Sequence, residues 1–280
     1  MNIGLIGKGY WGKKLLKYID EEFTLKHVIE SSSMSPLPLF QDRDTPAVII
    51  ATPIGTHYKL VKEALRHYKY VFCEKPMCVN YKNALELRTL SEIRKRGILV
   101  DYTYTFSPGF SNIPSIVNGD IEHIEMHSKQ LGRFTDYDVR WLLASHQLAL
   151  LDMIVPIDEM KFTSYDIINL DGVVTSCEIR FDFGRIFVSL NHPIKEVYTD
   201  IYGDGMFLRY DFTKGKVNHF KYDKAKRLSE FNLIKSKSLR TVDENNNLRH
   251  ALRHFKRMIY GDAGSNIERA INIINVLSRM

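Results

Sequence analysis

Apolar residues follow two rhythms along this chain. Ile3, Leu5 and Ile6 make a short apolar run, and Leu15, Leu16 and Ile19 then fall at helical spacing, with Gly7, Gly9 and Gly12 between the two patterns. Strand, glycine turn, helix is the order this predicts. Phe23 to Ile29 reads as a second strand. Pro46 to Pro53 is apolar almost throughout, as a strand buried on both faces of a parallel sheet must be. A helix over His57 to His67, begun by Gly55 or Thr56, leads to a strand over Lys69 to Cys73 that runs into Glu74-Lys75-Pro76. Tyr81 to Arg96 predicts an amphipathic helix with Ala84, Leu87, Leu90 and Ile93 on one face and Gly97 as its stop, and Ile98 to Val100 a further strand. Ser31 to Thr45, with Pro36 and Pro38 in it, is too short for a full crossover helix.

After Asp101 the rhythm changes. Phe106-Ser107-Pro108-Gly109-Phe110 begins a boundary segment, Ile121 to Leu131 alternates as a half-buried strand, and Tyr137 to Ile154 is helical. From Lys161 to Tyr222 strand follows strand, with turns at Asp171-Gly172, Gly184, Pro193, Asp204-Gly205 and Lys214-Gly215. Two helices, Asn246 to Tyr260 and Ser265 to Arg279, close the pattern. The expected fold class is an α/β Rossmann domain over residues 1–105, followed by an α+β domain over 106–280 with a large, mainly antiparallel open sheet.

Composition narrows the function classes. The 280 residues carry a formal charge of +6, but Lys and Arg are scattered among 33 acidic residues, so no nucleic-acid stripe is expected. The basic bias suits an anionic small molecule. Cys73, Cys78 and Cys177 are odd in number and have no metal spacing, so they read as packing residues in a reduced, cytoplasmic protein without a metal. No apolar run is long enough for a bilayer, and the glycine fingerprint starts too early to leave room for a signal peptide.

The fingerprint carries the first chemistry. Gly7 allows the tight turn, Gly9 lets a pyrophosphate approach the backbone, and Gly12 lets helix pack on strand. The helix then aims free N–H groups and a positive dipole end at the phosphates. Lys8, Tyr10 and Trp11 of the same loop join the three glycines as candidate cofactor contacts. Glu30, eighteen residues after Gly12, can accept the ribose hydroxyls and would repel a 2′-phosphate; no Arg or Lys follows in Ser31-Ser32-Ser33. NAD is therefore expected over NADP. Thr52 and Pro53 end the third strand, where cofactor loops sit in such sheets.

The landmarks together resemble the glucose–fructose oxidoreductase / inositol dehydrogenase (Gfo/Idh/MocA) family. The matching stretches are Gly7 to Gly12, A-T-P-I-G-T-H at Ala51 to His57, C-E-K-P at Cys73 to Pro76, F-S-P-G-F at Phe106, the His146 helix, and Ser189 to Met206. The last is most similar to the branch acting on nucleotide-activated sugars. The resemblance implies hydride transfer between a nicotinamide and a sugar carbon, in surface polysaccharide synthesis. It also implies an open sheet that pairs subunits into a homodimer or homotetramer. It puts Lys75 near nicotinamide and substrate hydroxyl, makes His146 the acid/base, and turns His57 toward the cofactor side, where His57 can also simply cap a helix; Glu74, a further candidate cofactor contact, can orient Lys75 or cap local backbone groups.

The residues can do this chemistry. Oxidising a secondary alcohol moves a hydride to the nicotinamide and a proton to a base, and histidine has the pKa for that base. An ammonium such as Lys75 stabilises the oxygen as negative charge develops. Pro76 can fix the lysine's direction, through either isomer of the Lys75–Pro76 bond. Tyr102 can donate to a sugar or to the nicotinamide amide, or simply pack, and Arg140 and Lys195 can bind an anionic part of the substrate. Two departures from the family stand out. The acid usual four residues before this histidine is Leu142 here, and Asp152 lies on another face; Gly-His before the F-x-P segment is Asp101-Tyr102 here. The rival readings are a reductase of another carbonyl, biliverdin-like in its missing acid/base pair, and a degenerate member that binds NAD and a partner protein.

Overall fold

The computed structural model describes residues 1–30, 34–67, 69–117, 121–132, 137–221 and 246–280, together with the backbone of 235–240. The expectations on Ser31–Ser33 and Tyr222 lie outside the described residues. The chain forms two compact units, residues 1–103 with 246–279, and residues 104–245.

In the first unit β1 (Asn2–Ile6), β2 (Thr24–Ile29), β3 (Ala47–Ile50), β4 (Tyr70–Glu74) and β5 (Ile98–Asp101) build a parallel sheet in the order β2-β1-β3-β4-β5. The strands that read as apolar runs are the buried ones: every residue of β3 and β5 is inside. Helices α1 (Tyr10–Glu22), α3 (Ile54–Arg66) and α4 (Tyr81–Arg94) are the crossovers, and the short segment before β3 holds only the five-residue α2 (Leu37–Gln41). Helix α4 ends earlier than expected. Lys95 takes the left-handed conformation (φ 51°) and closes it, so Gly97 is not the stop. Ile93 consequently lies outside the buried stripe, 69% exposed, whereas Ala84 and Leu87 are buried.

The boundary also differs from the expectation. Helices α7 (Asn247–Tyr260) and α8 (Ile267–Leu277) belong to the nucleotide-type unit, not to the second one. Phe255 of α7 packs against Phe23 and Phe72, with ring centroids 5.9 and 5.7 Å away. Glu21 and Glu22 pair with Arg249, Arg253 and Lys256 at 2.7–3.3 Å. Ahead of α8, the Asn266 amide accepts from Val100 N–H (2.8 Å) and donates to Val100 O (2.7 Å). With Ser265 Oγ donating to Ile98 O, two side chains thereby pair backbone groups along the edge of β5 that would otherwise stay open.

The second unit has the short α5 (Ile113–Ile116), β6 (Ile121–Leu131), α6 (Ser145–Ile154) and seven further strands. These are β7 (Thr163–Leu170), β8 (Val173–Phe181), β9 (Gly184–Ser189), β10 (Asn191–Gly203), β11 (Met206–Asp211), β12 (Lys216–Lys221) and β13 (Lys235–Arg240). They form one sheet in the order β13-β12-β11-β10-β6-β9-β8-β7, antiparallel except at β6–β9. The turn signals at Asp171-Gly172, Asp204-Gly205 and Lys214-Gly215 fall between strands and Gly184 opens β9, but no turn forms at Pro193, which lies inside β10. Asp171 and Gly172 both have positive φ (50° and 83°) and join β7 to β8, as a two-residue hairpin of matching twist requires. Alternation buries Ile124, Met126, Ile201 and Leu208 on one face. On the other face His127 stacks on Tyr198 at 4.6 Å and Arg209 pairs with Asp200.

Candidate active site

The glycine loop is built as its spacing demands. Gly7 has φ +94°, and its N–H donates to Ile29 O at 2.8 Å; a Cβ there would stand 2.4 Å from Ala51 O. Gly12 lies in the first turn of α1, where a Cβ would stand 2.0 Å from Gly7 O. Gly9 is the opposite case. It caps α1, and nothing lies within 4 Å of the place a Cβ would take. The first bond inside the helix runs from Lys13 N–H to Gly9 O (3.0 Å), so the N–H groups before it point outward from a positive dipole end. Open space at Gly9 on this positive helix end fits a pyrophosphate.

The flanks of the loop are polar and aromatic. The Lys8 ammonium donates to Glu30, which sits just past the end of β2. Tyr10 and Trp11 meet edge to face (5.2 Å), and Lys14 Nζ lies 4.4 and 4.5 Å from the two ring centres. Past β3, Thr56 Oγ1 donates to Thr52 Oγ1 or Pro53 O, each at 2.7 Å, and Pro53 caps α3.

His57 does something the sequence reading missed. It is buried, with Nδ1 2.7 Å from Pro76 O and Nε2 2.7 Å from Thr52 O, so it fastens the loop after β3 to the loop after β4. Desolvation pushes the imidazole below its usual range, as does the Lys75 charge, against the two carbonyls that favour its charged form. The ring is thus buried between two backbone carbonyls.

Glu74, Lys75 and cis Pro76 follow at the C-terminal end of β4, where open α/β sheets bind ligands. Glu74 is buried and Lys75 half-buried. Desolvation lowers the Lys75 ammonium to about 8, against the attraction of Glu74 and Asp101. Asp101 ends β5 in register with Glu74 and is fully buried, and desolvation pushes its carboxyl up to about 7. Asp101 is the residue sequence reasoning passed over. Its one signal is that β4 and β5 both end in an acid. Tyr102, next in the chain, is wholly buried.

In the second unit His146 lies in α6, edge-on to Tyr104 at 5.2 Å, and burial raises the Tyr104 hydroxyl to about 12. The turn before it is not α-helical. Arg140–Ala144 form a π-helical turn, which widens the spacing that would set Leu142 one α-turn below His146. Arg140 is not available to a substrate anion. Its Nε lies 2.9 and 3.0 Å from the Asp138 carboxylate, and its Nη1 3.2 Å from Asp166 and 3.3 Å from Ser164. Lys195 is exposed on β10. The three cysteines are buried thiols whose pKa burial raises, which suits packing and not reactivity. Among the described residues no three His, Cys, Asp or Glu side chains gather to hold a metal ion, and no helix is long and apolar enough to cross a membrane.

Comparison with known proteins adds to this geometry. Residues 21–102 match the oxidoreductase family with the NAD-binding Rossmann fold (GFO_IDH_MocA). An uncharacterized oxidoreductase of Bacillus subtilis, YrbE, is 35% identical over 98 residues, 34% of this chain and 28% of that protein. Inositol 2-dehydrogenase 1 of Mycolicibacterium vanbaalenii is 35% identical over 85 residues, 30% of this chain and 25% of the relative. The matched stretch therefore spans only about a quarter of these curated relatives. The fold is shared more widely. UDP-N-acetylglucosamine 3-dehydrogenase GnnA from Acidithiobacillus ferrooxidans superposes with a TM-score of 0.87 over 100% of this chain and 96% of that one, at 14% identity.

Proposed function

We propose, for a chain that belongs through residues 21–102 to the Gfo/Idh/MocA oxidoreductase family, that it moves a hydride to or from a secondary alcohol or ketone carbon of a sugar. The observation that carries this reading is Lys75: a half-buried ammonium at the C-terminal end of β4, in the same unit as an open, glycine-lined helix N-terminus. A nicotinamide dinucleotide bound at that terminus supplies or takes the hydride. The backbone around Gly7, Gly9 and Gly12 holds its pyrophosphate. Glu30 accepts the ribose hydroxyls and disfavours a 2′-phosphate, which supports NAD over NADP.

Lys75 gives a proton to the carbonyl oxygen in reduction, or stabilises the alkoxide in oxidation. Its lowered pKa brings the proton closer to the working pH. His146 is the second acid/base group. Leu142 stands where the family has a carboxylate that would raise the basicity of this histidine, and this favours the reductive direction. A nucleotide-linked sugar is the substrate class we favour, on the Ser189–Met206 segment and the fold shared with a UDP-sugar dehydrogenase. Surface polysaccharide synthesis, a cytoplasmic setting and subunit pairing through the eight-stranded sheet complete the reading. A second reading, a binder of NAD and a partner protein without turnover, is favoured by Leu142 alone.

Fluorescence titration of NADH, with a panel of nucleotide sugars and their keto forms, on wild type and Lys75→Ala, tests the reading. A nucleotide sugar should tighten NADH binding or oxidise it, and Lys75→Ala should abolish turnover while sparing NADH affinity. NADH binding that no sugar alters, in either protein, leaves the binding role instead.

A further inference from the structure

The end of β4 and β5 carries more ionisable groups than proton donation by one lysine requires. Glu74 and Asp101 are register partners on adjacent parallel strands, so their side chains leave the same face of the sheet. Glu74 is 5% exposed and Asp101 0%. Glu74 Oε1 has no hydrogen-bond partner among the described residues, and Asp101 has only the Thr103 hydroxyl to favour its charged form by hydrogen bonding. Two carboxyls in one dry place do not both ionise, and at least one of them stays protonated.

We infer that Glu74 and Asp101 form a proton-holding pair that recharges Lys75 in each reductive cycle. The inference rests on the reading of Lys75 as proton donor. The carbonyl carbon receives the hydride of a reduced nicotinamide. A Lys75 N–H bond breaks as the O–H bond forms on the former carbonyl oxygen. The neutral amine then takes the carboxyl proton of Asp101 while Glu74 keeps its own, leaving an ammonium beside one carboxylate, and water returns a proton to Asp101 once product leaves. The sum is one hydride and one proton per ketone. Asp101 does not touch substrate; it is a positioning residue acting through Lys75.

The surroundings suit the transfer. Burial raises the acid to about 7 and lowers the ammonium to about 8, so the proton passes with little cost in either direction. Burial and the Asp101 charge push the Glu74 carboxyl well up, against the opposing charges of Lys75 and Lys14; burial keeps Cys73 and Cys78 neutral, and the charge of Lys75 reaches His57 of α3.

Carbon- and nitrogen-detected NMR of the whole labelled protein, titrated from acid to alkaline pH, reads the groups directly. The Asp101 carboxyl should titrate near neutrality. Asp101→Asn should lower the midpoints of both Glu74 and Lys75, because the Asp101 charge raises each. Should that variant fail to fold, Glu74→Gln should lower the Lys75 midpoint in the same way. With a substrate in hand, Asp101→Asn should cut kcat by about tenfold or more and leave NADH affinity unchanged. An Asp101 carboxyl ionised throughout the range, or a Lys75 midpoint that neither variant moves, overturns the pair whatever the turnover. Full turnover in Lys75→Ala overturns the role of Lys75 whatever the titrations.

Discussion

Gly9 and Gly12 stand three residues apart in one loop, and alanine at each should damage a different property. At Gly12 the new Cβ would meet Gly7 O at 2.0 Å and Gly7 C at 3.0 Å. Both are backbone atoms, so no rotamer change relieves the clash, and α1 must move off β1. Overpacking of this kind costs about 3 kcal/mol at the upper end of its usual range. Alanine's better helix propensity returns about 1 kcal/mol. The net loss of about 2 kcal/mol corresponds to a Tm lowered by roughly 4–8 °C. At Gly9 the φ of −73° suits alanine and no atom lies within 4 Å, so stability should stay within about 1 kcal/mol of wild type. The Cβ would instead stand where the pyrophosphate approaches the helix end. NADH affinity should fall tenfold or more, at least about 1.4 kcal/mol. Thermal melts by circular dichroism and NADH titrations, run on both variants, separate the effects. Wild-type NADH affinity in Gly9→Ala would refute the placement of the phosphates; a wild-type melt in Gly12→Ala would refute the packing argument.

Two further outcomes follow from buried groups. Asp101 binds its proton more tightly folded than unfolded, so the folded state holds more protons between the ordinary aspartate value of 3.8 and about 7, and stability should fall as pH rises through that window. Asp101→Asn should remove up to about 4 kcal/mol of that fall, seen as a flatter line of urea midpoints against pH; parallel lines for the two proteins would contradict it. His57→Phe fills the space but leaves Thr52 O and Pro76 O without their partner, and should cost about 1–3 kcal/mol in urea unfolding, whereas an unchanged midpoint would show that the clamp contributes nothing.

What could be read from the sequence was whatever the backbone itself demands. Gly7 and Gly12 are required by contacts with the main chain of their own loop and its neighbour, and Asp171-Gly172 by the twist of its hairpin, so their types and spacing announce them. Lys95 gave no such sign, because a left-handed lysine is held there by its surroundings and not by its own preference. Periodicity marked the apolar faces of Asn246 to Tyr260 and Ser265 to Arg279, but a face does not say which sheet it covers. Arg140 read as an anion ligand because Asp166, one of its partners, comes from a strand over twenty residues away. Asp101 and Glu74 become a pair only when β4 and β5 are known to be neighbours in register.

The chain leaves its first unit after Thr103 and returns to it at Asn246. On the ribosome, β1 to β5 therefore emerge with their crossover helices long before α7 and α8. At about 5–20 residues per second the wait for α7 and α8 is roughly 10–35 s. Through that interval Phe23 and Phe72 lack Phe255, and the edge of β5 lacks Asn266. The intervening unit, whose sheet is continuous in sequence, can be complete before the one that precedes it. Nascent chains of this protein thus carry, as their vulnerable species, a parallel sheet still bare where α7 and α8 will pack, the form that a chaperone would have to shield during synthesis.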